Sequence, residues 1–205
     1  MKESEKTPPM FTFEDPFELF GLWMREAETS EPNDPNAMAL ASCDETGLPN
    51  VRMVLLKAWD ERGFVFYSHK TSTKGQELAH NPKAAMNIHW KSLRRQIRVR
   101  GTTEELERFE VGQYFASRPR DSQLGAWASR QSQEMKTRSL FEAAIDKARD
   151  KFKGMQVPLP PGWTGWRIMP VSIEFWRDRP FRLHDRLLFE RDPATNTWTK
   201  RRLYP

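Results

Sequence analysis

Three side chains near the C-terminus, Arg182, His184 and Arg186, stand two residues apart. Side chains at this spacing share one face of an extended strand, so the sequence predicts that the three project together. Leu183 and Leu187 would then point to the opposite face. Two guanidinium groups beside an imidazole suit an anionic ligand, although this run alone favours a basic, solvated strand face.

Two further cations, Arg52 and Lys57, stand at the two ends of an otherwise apolar run. Charges so close to a core strand need partners, unless both side chains reach solvent at the strand ends. The two cations are five positions apart, so they would face opposite ways on a regular strand. A shared ligand therefore requires a bulge, and otherwise the two cations bind separate ligands.

Two groups of polar side chains have the composition of phosphate sites. Ser68 and Lys74 would meet the free N–H groups at the predicted start of a helix. Tyr114 and Arg118 are four apart on a second predicted helix, with Ser122 just beyond it. An ordinary capped helix and simple packing on a helix surface are the alternatives.

Several classes of motif are absent from the sequence. It contains no CxxC or HExxH motif and no Walker-type loop, so we expect neither a metal site nor a P-loop. No GxSxG elbow supports a Ser-His-Asp triad. Cys43 is the only cysteine, which excludes a disulfide within the chain and suits a reducing cytoplasm.

The 205 residues suffice for one domain with a substantial core. A mean hydropathy of −0.78 and the lack of an apolar run of ~20 residues argue against a membrane span. The polar N-terminus shows no secretory signal. The net charge of +5 favours anionic partners, but it does not separate nucleic acid from phosphorylated small molecules.

Hydrophobic periodicity and turn residues predict the elements that position these groups. Residues 1–12 are expected to form a flexible tail, and a helix capped at Asp15 is expected to reach about Ala27. Strands are predicted over residues 38–43, 51–59, 64–68, 84–90, 94–103, 166–175, 182–190 and 198–203, and helices over 71–80, 104–117 and 137–152. Hairpins connect the early strands, which favours an antiparallel barrel with helices, a mainly β fold of class α+β.

In this order, the polar groups resemble the pyridoxamine 5′-phosphate oxidase family. The resemblance runs from about Asp15 to the C-terminus and rests on Arg52-Met-Val-Leu-Leu-Lys57, Ser117-Arg-Pro-Arg-Asp-Ser-Gln123, Glu174-Phe-Trp176 and Arg182-Leu-His-Asp-Arg186. It implies an antiparallel FMN-binding split β-barrel, with residues 13–205 as a single domain that includes a C-terminal dimerisation and substrate region. It also implies a cytoplasmic homodimer with FMN at the interface and without nucleic-acid or membrane partners.

The resemblance assigns binding roles residue by residue. It implies that one subunit binds FMN through Arg52, Met53, Val54, Leu55, Leu56, Lys57, Tyr67, Ser68, Thr73, Lys74 and Gln96. The partner subunit would add Gln131, Ser132, Trp176 and Arg186. The substrate phosphate would fall to Lys57, Tyr114, Arg118 and Ser122, and its ring to the candidate catalytic residues Arg182 and His184.

The implied chemistry is hydride transfer from the substrate C4′ carbon to flavin N5. With pyridoxine 5′-phosphate this gives pyridoxal 5′-phosphate directly, and with pyridoxamine 5′-phosphate it gives an imine that water hydrolyses to the same aldehyde. Oxygen then reoxidises the flavin to give hydrogen peroxide. Because the flavin is the electron sink, the protein mainly positions two rings and neutralises phosphates. Arg182 is expected to orient the substrate and His184 to make a polar contact with it.

Four features depart from the family's pattern. Thr73 stands where the family usually has an arginine, and Trp163-Thr-Gly165 replaces a more usual Trp-Gly-Gly. Residues 177–180 are unusually charged and rigid, and residues 1–13 lack the family's Arg- and Tyr-containing segment. We therefore expect weaker FMN retention and a more open substrate pocket.

Three other functions remain open on the sequence. A barrel of the same kind could carry pyridoxal 5′-phosphate or flavin without catalysis. A related flavin reductase would use NAD(P)H instead of a vitamin substrate. An RNA-binding barrel would use basic strands and tryptophans, but the 28 acidic residues are dispersed among the 33 basic ones.

Overall fold

A computed structural model describes residues 9–205. In this part of the chain the helices are α1 (Pro16–Ser30), α2 (Thr73–His80), α3 (Arg108–Ser117), α4 (Arg120–Ala128) and α5 (Arg138–Lys151). The strands are β1 (Ala37–Cys43), β2 (Pro49–Leu55), β3 (Ala58–Asp60), β4 (Gly63–His69), β5 (Lys83–Trp90), β6 (Arg95–Glu105), β7 (Trp163–Arg177), β8 (Asp185–Arg191) and β9 (Trp198–Arg202). None of these helices is long and apolar enough to cross a membrane.

The strands form one antiparallel sheet in the order β2-β1-β5-β6-β7-β4-β3, which β8 and β9 extend from β7. One edge of β7 pairs with β6 along most of its length. The other edge is shared by β4, which pairs with residues 163–168, and β8, which pairs with residues 172–177. The predicted antiparallel α+β fold is therefore confirmed, and β7 links its two ends.

Buried apolar side chains form two groups in the described chain. In the larger group, Phe20 and Trp23 of α1 pack edge-on against Phe64 and Phe175 of the sheet. The smaller group joins α3, α4 and α5 to strands β4 and β7 through Val65, Val111, Phe115, Leu124, Phe152 and Trp163. It fixes the helices on the part of the sheet where the candidate site lies.

The N-terminal boundary differs from the prediction. Residues Met10–Thr12, which were assigned to a flexible tail, form a turn of 3₁₀ helix, and Met10 is buried in the larger core group. Helix α1 begins as predicted, because the Asp15 carboxylate accepts the Phe17 N–H at 2.7 Å. Residues 1–8 of the tail lie outside the described residues, and the single domain over residues 13–205 stays a prediction.

Helix α4 was not predicted, because Pro119 was interpreted only as the end of the preceding helix. Pro119 instead stands between α3 and α4 as the N-cap residue of the latter. The Gln123 side-chain amide donates to the carbonyl groups of Phe115, Ala116 and Arg118. A helix end needs partners for such carbonyls, so this buried glutamine makes the tight corner between two short helices possible.

The extended run predicted over Arg182, His184 and Arg186 is wrong. Residues Pro180–Arg182 form a 3₁₀ turn, and β8 begins only at Asp185. Phe181 and Arg182 have φ values of 57° and 62°, in the left-handed region. The local turn cancels the two-residue periodicity, so the three side chains do not share one strand face.

Helix α2 packs closely on the turn that precedes it. A Cβ atom on Gly75 would lie 2.4 Å from the Lys70 carbonyl oxygen and 2.5 Å from that of His69. Only glycine allows this approach, which holds the first turn of α2 against the end of β4. The side chain of Ser72 caps the helix as predicted, by accepting the Gly75 N–H at 3.3 Å.

We predict that Gly75→Ala lowers the free energy of unfolding by about 1–3 kcal/mol, because the methyl group forces backbone apart. Denaturant unfolding measures the change. The matched control is Gly112→Ala in α3, where the nearest atom to an added Cβ is a Leu159 methyl carbon at 4.0 Å. That control is expected to be neutral or to stabilise by up to about 1 kcal/mol. Equal effects of the two substitutions would contradict the prediction.

Candidate active site

A cavity of about 900 Å³ lies between strands β2 and β4 and helices α2, α3 and α4. It brings together twelve of the residues assigned to ligands by sequence: Arg52, Met53, Val54, Leu55, Lys57, Tyr67, Ser68, Lys74, Tyr114, Arg118, Ser122 and Gln131. These residues come from segments far apart in the chain. Three of the four polar groups that the sequence showed separately thus line one cavity.

Arg52 and Lys57 reach the same cavity because the strand predicted over residues 51–59 is broken. Strand β2 ends at Leu55 and β3 begins at Ala58. Between them, Leu56 is buried, with its N–H donating to the Asn36 carbonyl group at 2.9 Å. The Asn36 amide donates back to the Leu56 carbonyl oxygen at 2.8 Å. The break interrupts the alternation of side chains between the two faces of the strand. Arg52 and Lys57 therefore line the same cavity, and a single ligand can contact both.

Lys74 is the most deeply placed cation of the cavity, with only 7% of its surface exposed. Its ammonium group donates to Ser68 Oγ at 3.1 Å, Ser72 Oγ at 3.3 Å and Gln131 Oε1 at 2.9 Å. These three partners are neutral. Burial lowers the pKa of Lys74, the charge of Arg52 lowers it further, and only the more distant Glu77 raises it. An anion in the cavity would supply the missing countercharge.

Arg118 forms a second cationic pocket in the cavity. Its guanidinium group lies 4.8 Å from the centre of the Trp163 ring, and its Nη1 atom is buried without a hydrogen-bond partner. Burial lowers the pKa of this guanidinium group. A buried donor without a partner costs free energy that a ligand acceptor would recover.

Stacked aromatic rings form part of the wall of the same cavity. The rings of Tyr67 and Tyr114 are 3.9 Å apart between centroids, and Trp163 stacks on Tyr67 at 5.3 Å. Burial, followed by the charge of Glu110, raises the pKa of Tyr67 to about 12, and burial also raises the pKa of Tyr114. Both phenols therefore keep their protons at neutral pH and can donate to a ligand oxygen.

Sequence analysis missed several residues of the cavity, above all His69 and Trp163. His69 follows Tyr67 by two positions on β4, so strand alternation could have identified it. Burial lowers the pKa of His69, and the charges of Lys74 and Arg118 lower it further. A neutral imidazole between two cationic pockets adds polarity without adding charge.

Eight of the assigned residues do not line this cavity: Leu56, Thr73, Gln96, Ser132, Trp176, Arg182, His184 and Arg186. Leu56 belongs to the core. Thr73 is exposed and borders a different cavity beside α2, together with Gln76 and His80. Ser132, with φ of 70°, borders a third cavity next to α5.

The C-terminal residues form a separate group at the far end of β7, here called the C-terminal cluster: Gln96, Trp176, Arg182, His184 and Arg186. In the sheet register Trp176 stands beside both Gln96 and Arg186. The His184 ring lies 4.5 Å from the Trp176 ring, and Arg186 Nε donates to the Glu174 carboxylate at 2.7 Å. Arg182 itself is exposed.

The structure groups two of the assigned residues differently from the expected division between subunits, and the division itself stays a prediction. Gln131 was expected to come from the partner, but its side chain contacts Ser68 and Lys74 of the same chain. Gln96 was expected to act with Lys74, but it lies beside Trp176. Strand register decides the position of Gln96, and the segment after α4 decides that of Gln131. Neither could be read from spacing.

Two family models together match most of the chain. The model described as "Pyridoxamine 5'-phosphate oxidase" matches residues 24–152, and that of the "Pyridoxine 5'-phosphate oxidase C-terminal dimerisation region" matches residues 163–205. The chain belongs to the pyridoxamine 5′-phosphate oxidase family. The first match includes the cationic pockets of the cavity, and the second includes all of the C-terminal cluster except Gln96.

Curated relatives and solved structures agree with this membership. The pyridoxine/pyridoxamine 5′-phosphate oxidase of Rhodopseudomonas palustris strain TIE-1 is 61% identical over 204 residues, which is 99% of this chain and 96% of the relative. That of Bradyrhizobium sp. BTAi1 is 61% identical over 191 residues, covering 93% and 88%. PhzG from Burkholderia lata 383, crystallised with tetrahydrophenazine-1-carboxylic acid, has a TM-score of 0.88 at 31% identity and covers 97% of this chain and 94% of its own.

Membership also confirms the expected fold. A pyridoxamine 5′-phosphate oxidase-related, FMN-binding protein from Nostoc punctiforme has a TM-score of 0.75 at 15% identity, over 93% of this chain and 98% of its own. At that identity the likeness concerns the fold alone. The split barrel of this family is thus the fold of the chain, and the match of residues 163–205 to a dimerisation region indicates a homodimer.

We predict that Lys74→Met raises the free energy of unfolding of the ligand-free protein by about 1 kcal/mol, because a buried charge without a charged partner is replaced by an apolar chain. The same variant should lose the stabilisation that inorganic phosphate gives the wild type. Thermal unfolding with and without phosphate measures both effects.

The control for this prediction is Lys70→Met. Lys70 pairs with Glu105 at 2.5 Å, and about half of its side chain is exposed, so its loss should change stability by less than about 1 kcal/mol. This control should keep the response to phosphate. A Lys74→Met protein that phosphate stabilises as much as the wild type would contradict the assignment.

Proposed function

We propose that this chain is an FMN-dependent oxidase that converts pyridoxamine 5′-phosphate and pyridoxine 5′-phosphate to pyridoxal 5′-phosphate. One observation carries the proposal: a single cavity holds two separate cationic pockets, around Lys74 and Arg118, and stacked aromatic rings line its wall. Two phosphorylated aromatic ligands need this arrangement. The names of the curated relatives, about 60% identical, support it.

The residues of the cavity fit FMN. Its volume of about 900 Å³ is in the usual range for ligand pockets, about 300–1,000 Å³. The buried ammonium of Lys74 has only neutral partners, so a phosphate group would neutralise it. FMN would then be held by Arg52 to Lys57, Tyr67, Ser68, Lys74 and Gln131. Thr73 and Ser132 border other cavities and have no contact with FMN in this proposal.

The substrate would occupy the second pocket. The unpaired Nη1 of Arg118 would donate to its phosphate, with the protonated phenol of Tyr114 and the hydroxyl of Ser122 beside it. Lys57 borders the same cavity and would bridge the two ligands. With the phosphate groups of FMN and substrate bound at separate points, the two aromatic rings have little freedom to move. Positioning the rings is the contribution that the protein makes.

FMN, when bound, supplies the acceptor for the hydride that leaves the substrate C4′ carbon, and oxygen takes up the electrons as hydrogen peroxide. The chain's own groups bind, orient and shield the reactants. Tyr67 and Tyr114 keep their protons, and His69 stays neutral, so none of them adds a negative charge beside the phosphates.

The C-terminal cluster would complete the site from the partner subunit. Trp163 lines the cavity and Trp176 lies thirteen positions later on the same strand, about 40 Å away along an extended chain. Within one chain, none of the cluster's residues lines the cavity. Beside Arg182, Phe181 is 92% exposed and Leu183 is 66% exposed, as expected of a loop that inserts into a second copy. FMN would then lie at the subunit interface.

The function predicts that the purified protein is yellow and that its flavin bleaches when pyridoxine 5′-phosphate is added without oxygen. Admitting oxygen should restore the colour and form hydrogen peroxide. An absorbance scan and a peroxide assay measure these effects. Binding of both ligands without bleaching would identify a carrier, and bleaching only by NAD(P)H would identify a flavin reductase; either outcome refutes the oxidase.

The composite site is tested with a mixed dimer. Arg118→Ala removes a cavity residue and Arg182→Ala removes a C-terminal residue, so each homodimer should have at most about a tenth of the wild-type activity. A dimer with one chain of each kind, isolated through two different tags, should regain about half of the activity, because one of its two sites is intact. A mixed dimer as inactive as its parents would show that both residues serve one site from the same chain.

A further inference from the structure

We propose that Glu77 is a positioning residue of the flavin site, which fixes the guanidinium group of Arg52 for contact with FMN. The proposal rests on the function above, because it requires Arg52 to contact the cofactor. Glu77 is absent from every motif that carried the family resemblance. It was identified only from its contacts.

Glu77 lies on α2, at the centre of a short hydrogen-bond network with Ser42, Asn50 and Arg52. Its side chain is 7% exposed, and its Oε2 atom accepts hydrogen bonds from the Ser42 hydroxyl and, at 2.9 Å, from Arg52 Nη2. Its Oε1 atom accepts from the Asn50 amide at 2.9 Å. Burial alone would raise the pKa of Glu77, but the bonds from Ser42 and Asn50 and the charge of Arg52 outweigh it and lower the pKa. The carboxylate is therefore ionised at neutral pH.

The other side of the Arg52 guanidinium group is also held. Its Nη1 atom donates to Ser42 Oγ at 2.6 Å and to the Leu40 carbonyl oxygen at 3.2 Å. Arg52 is thus fixed through both of its terminal nitrogen atoms before any ligand binds. A free arginine would lose rotamer entropy on binding, whereas a fixed one has already lost it during folding.

Glu77 acts through Arg52 and not by touching the ligand. Arg52 lines the main cavity, whereas Glu77 borders the separate cavity beside α2, together with Asn50 and Thr73. The carboxylate is also close enough to Lys74 to influence its charge, since it opposes the effect of Arg52 on that lysine. Glu77 thus places one negative charge near two cations, Arg52 and Lys74, without lining the main cavity itself.

The test measures FMN binding to the ligand-free dimer by flavin fluorescence. Glu77→Ala removes the anchor and should raise the Kd for FMN about tenfold, while kcat at saturating FMN stays within about twofold of the wild type. Glu77→Gln keeps an acceptor oxygen for Arg52 and Ser42 and should bind FMN within about threefold of the wild type. The control Gln76→Ala, exposed on the same helix, should leave the Kd unchanged.

A double-mutant cycle shows whether Glu77 acts through Arg52. Once Arg52→Ala has removed the guanidinium group, adding Glu77→Ala should raise the Kd no further. Additive losses would overturn the proposal, and so would an unchanged Kd for Glu77→Ala or an equal loss for Glu77→Gln. Thermal unfolding of each variant shows that the proteins compared are folded. Where Glu77→Ala does not fold, Glu77→Met, which keeps the side-chain length but has no carboxylate, is measured in its place.

The two proposals fail in different ways. If the wild type binds no FMN, the proposed function is wrong. If the wild type binds FMN and Arg52→Ala weakens binding, but Glu77→Ala does not, the function stands and only the role of Glu77 is refuted.

Discussion

Buried positive charge without a matching negative charge is the constraint on which this structure depends. Lys74 is almost fully buried and contacts only neutral groups, and Arg118 keeps a buried nitrogen without a partner. Such an arrangement costs stability in a free protein. It is maintained because an anionic ligand recovers the cost. The cavity is thus organised around ligands that bring phosphate groups.

The buried charges of Lys74 and Arg118 have different surroundings. Lys74 is surrounded by hydroxyl and amide groups at the first turn of a helix that Gly75 allows to pack tightly. Arg118 instead lies over the face of Trp163, where the ring attracts the cation and excludes water. The Lys74 pocket therefore offers a compact ammonium charge, and the Arg118 pocket offers the planar set of N–H donors of a guanidinium group. This difference suits two phosphate groups on two different molecules.

The long strand β7 divides the proposed site into two parts. Its first residue, Trp163, belongs to the wall of the cavity, and Trp176 near its end belongs to the C-terminal cluster. In the part of the chain that the structure describes, none of the C-terminal cluster lines the cavity. In the proposed dimer, a second copy of the chain would bring this end of its β7 to the other copy's cavity, in keeping with the match of residues 163–205 to a dimerisation region.

The sequence by itself determined the fold class, the helix start at Asp15, the cap at Ser72 and the residue types of both cationic pockets. These features depend on periodicity over a few neighbouring residues, on capping chemistry and on motif identity. The resemblance to a known family then indicated FMN as the cofactor. Long-range placement was not available from such local signals.

Only the tertiary structure decided which groups meet. It broke the strand at Leu56 so that Arg52 and Lys57 line one cavity, and it moved Gln131 to Lys74 and Gln96 to Trp176. These positions follow from strand register and from contacts between segments far apart in sequence, which spacing along the chain does not encode. The sequence therefore determines which chemical groups are present, and the packing of the sheet determines which of them lie close enough to act together.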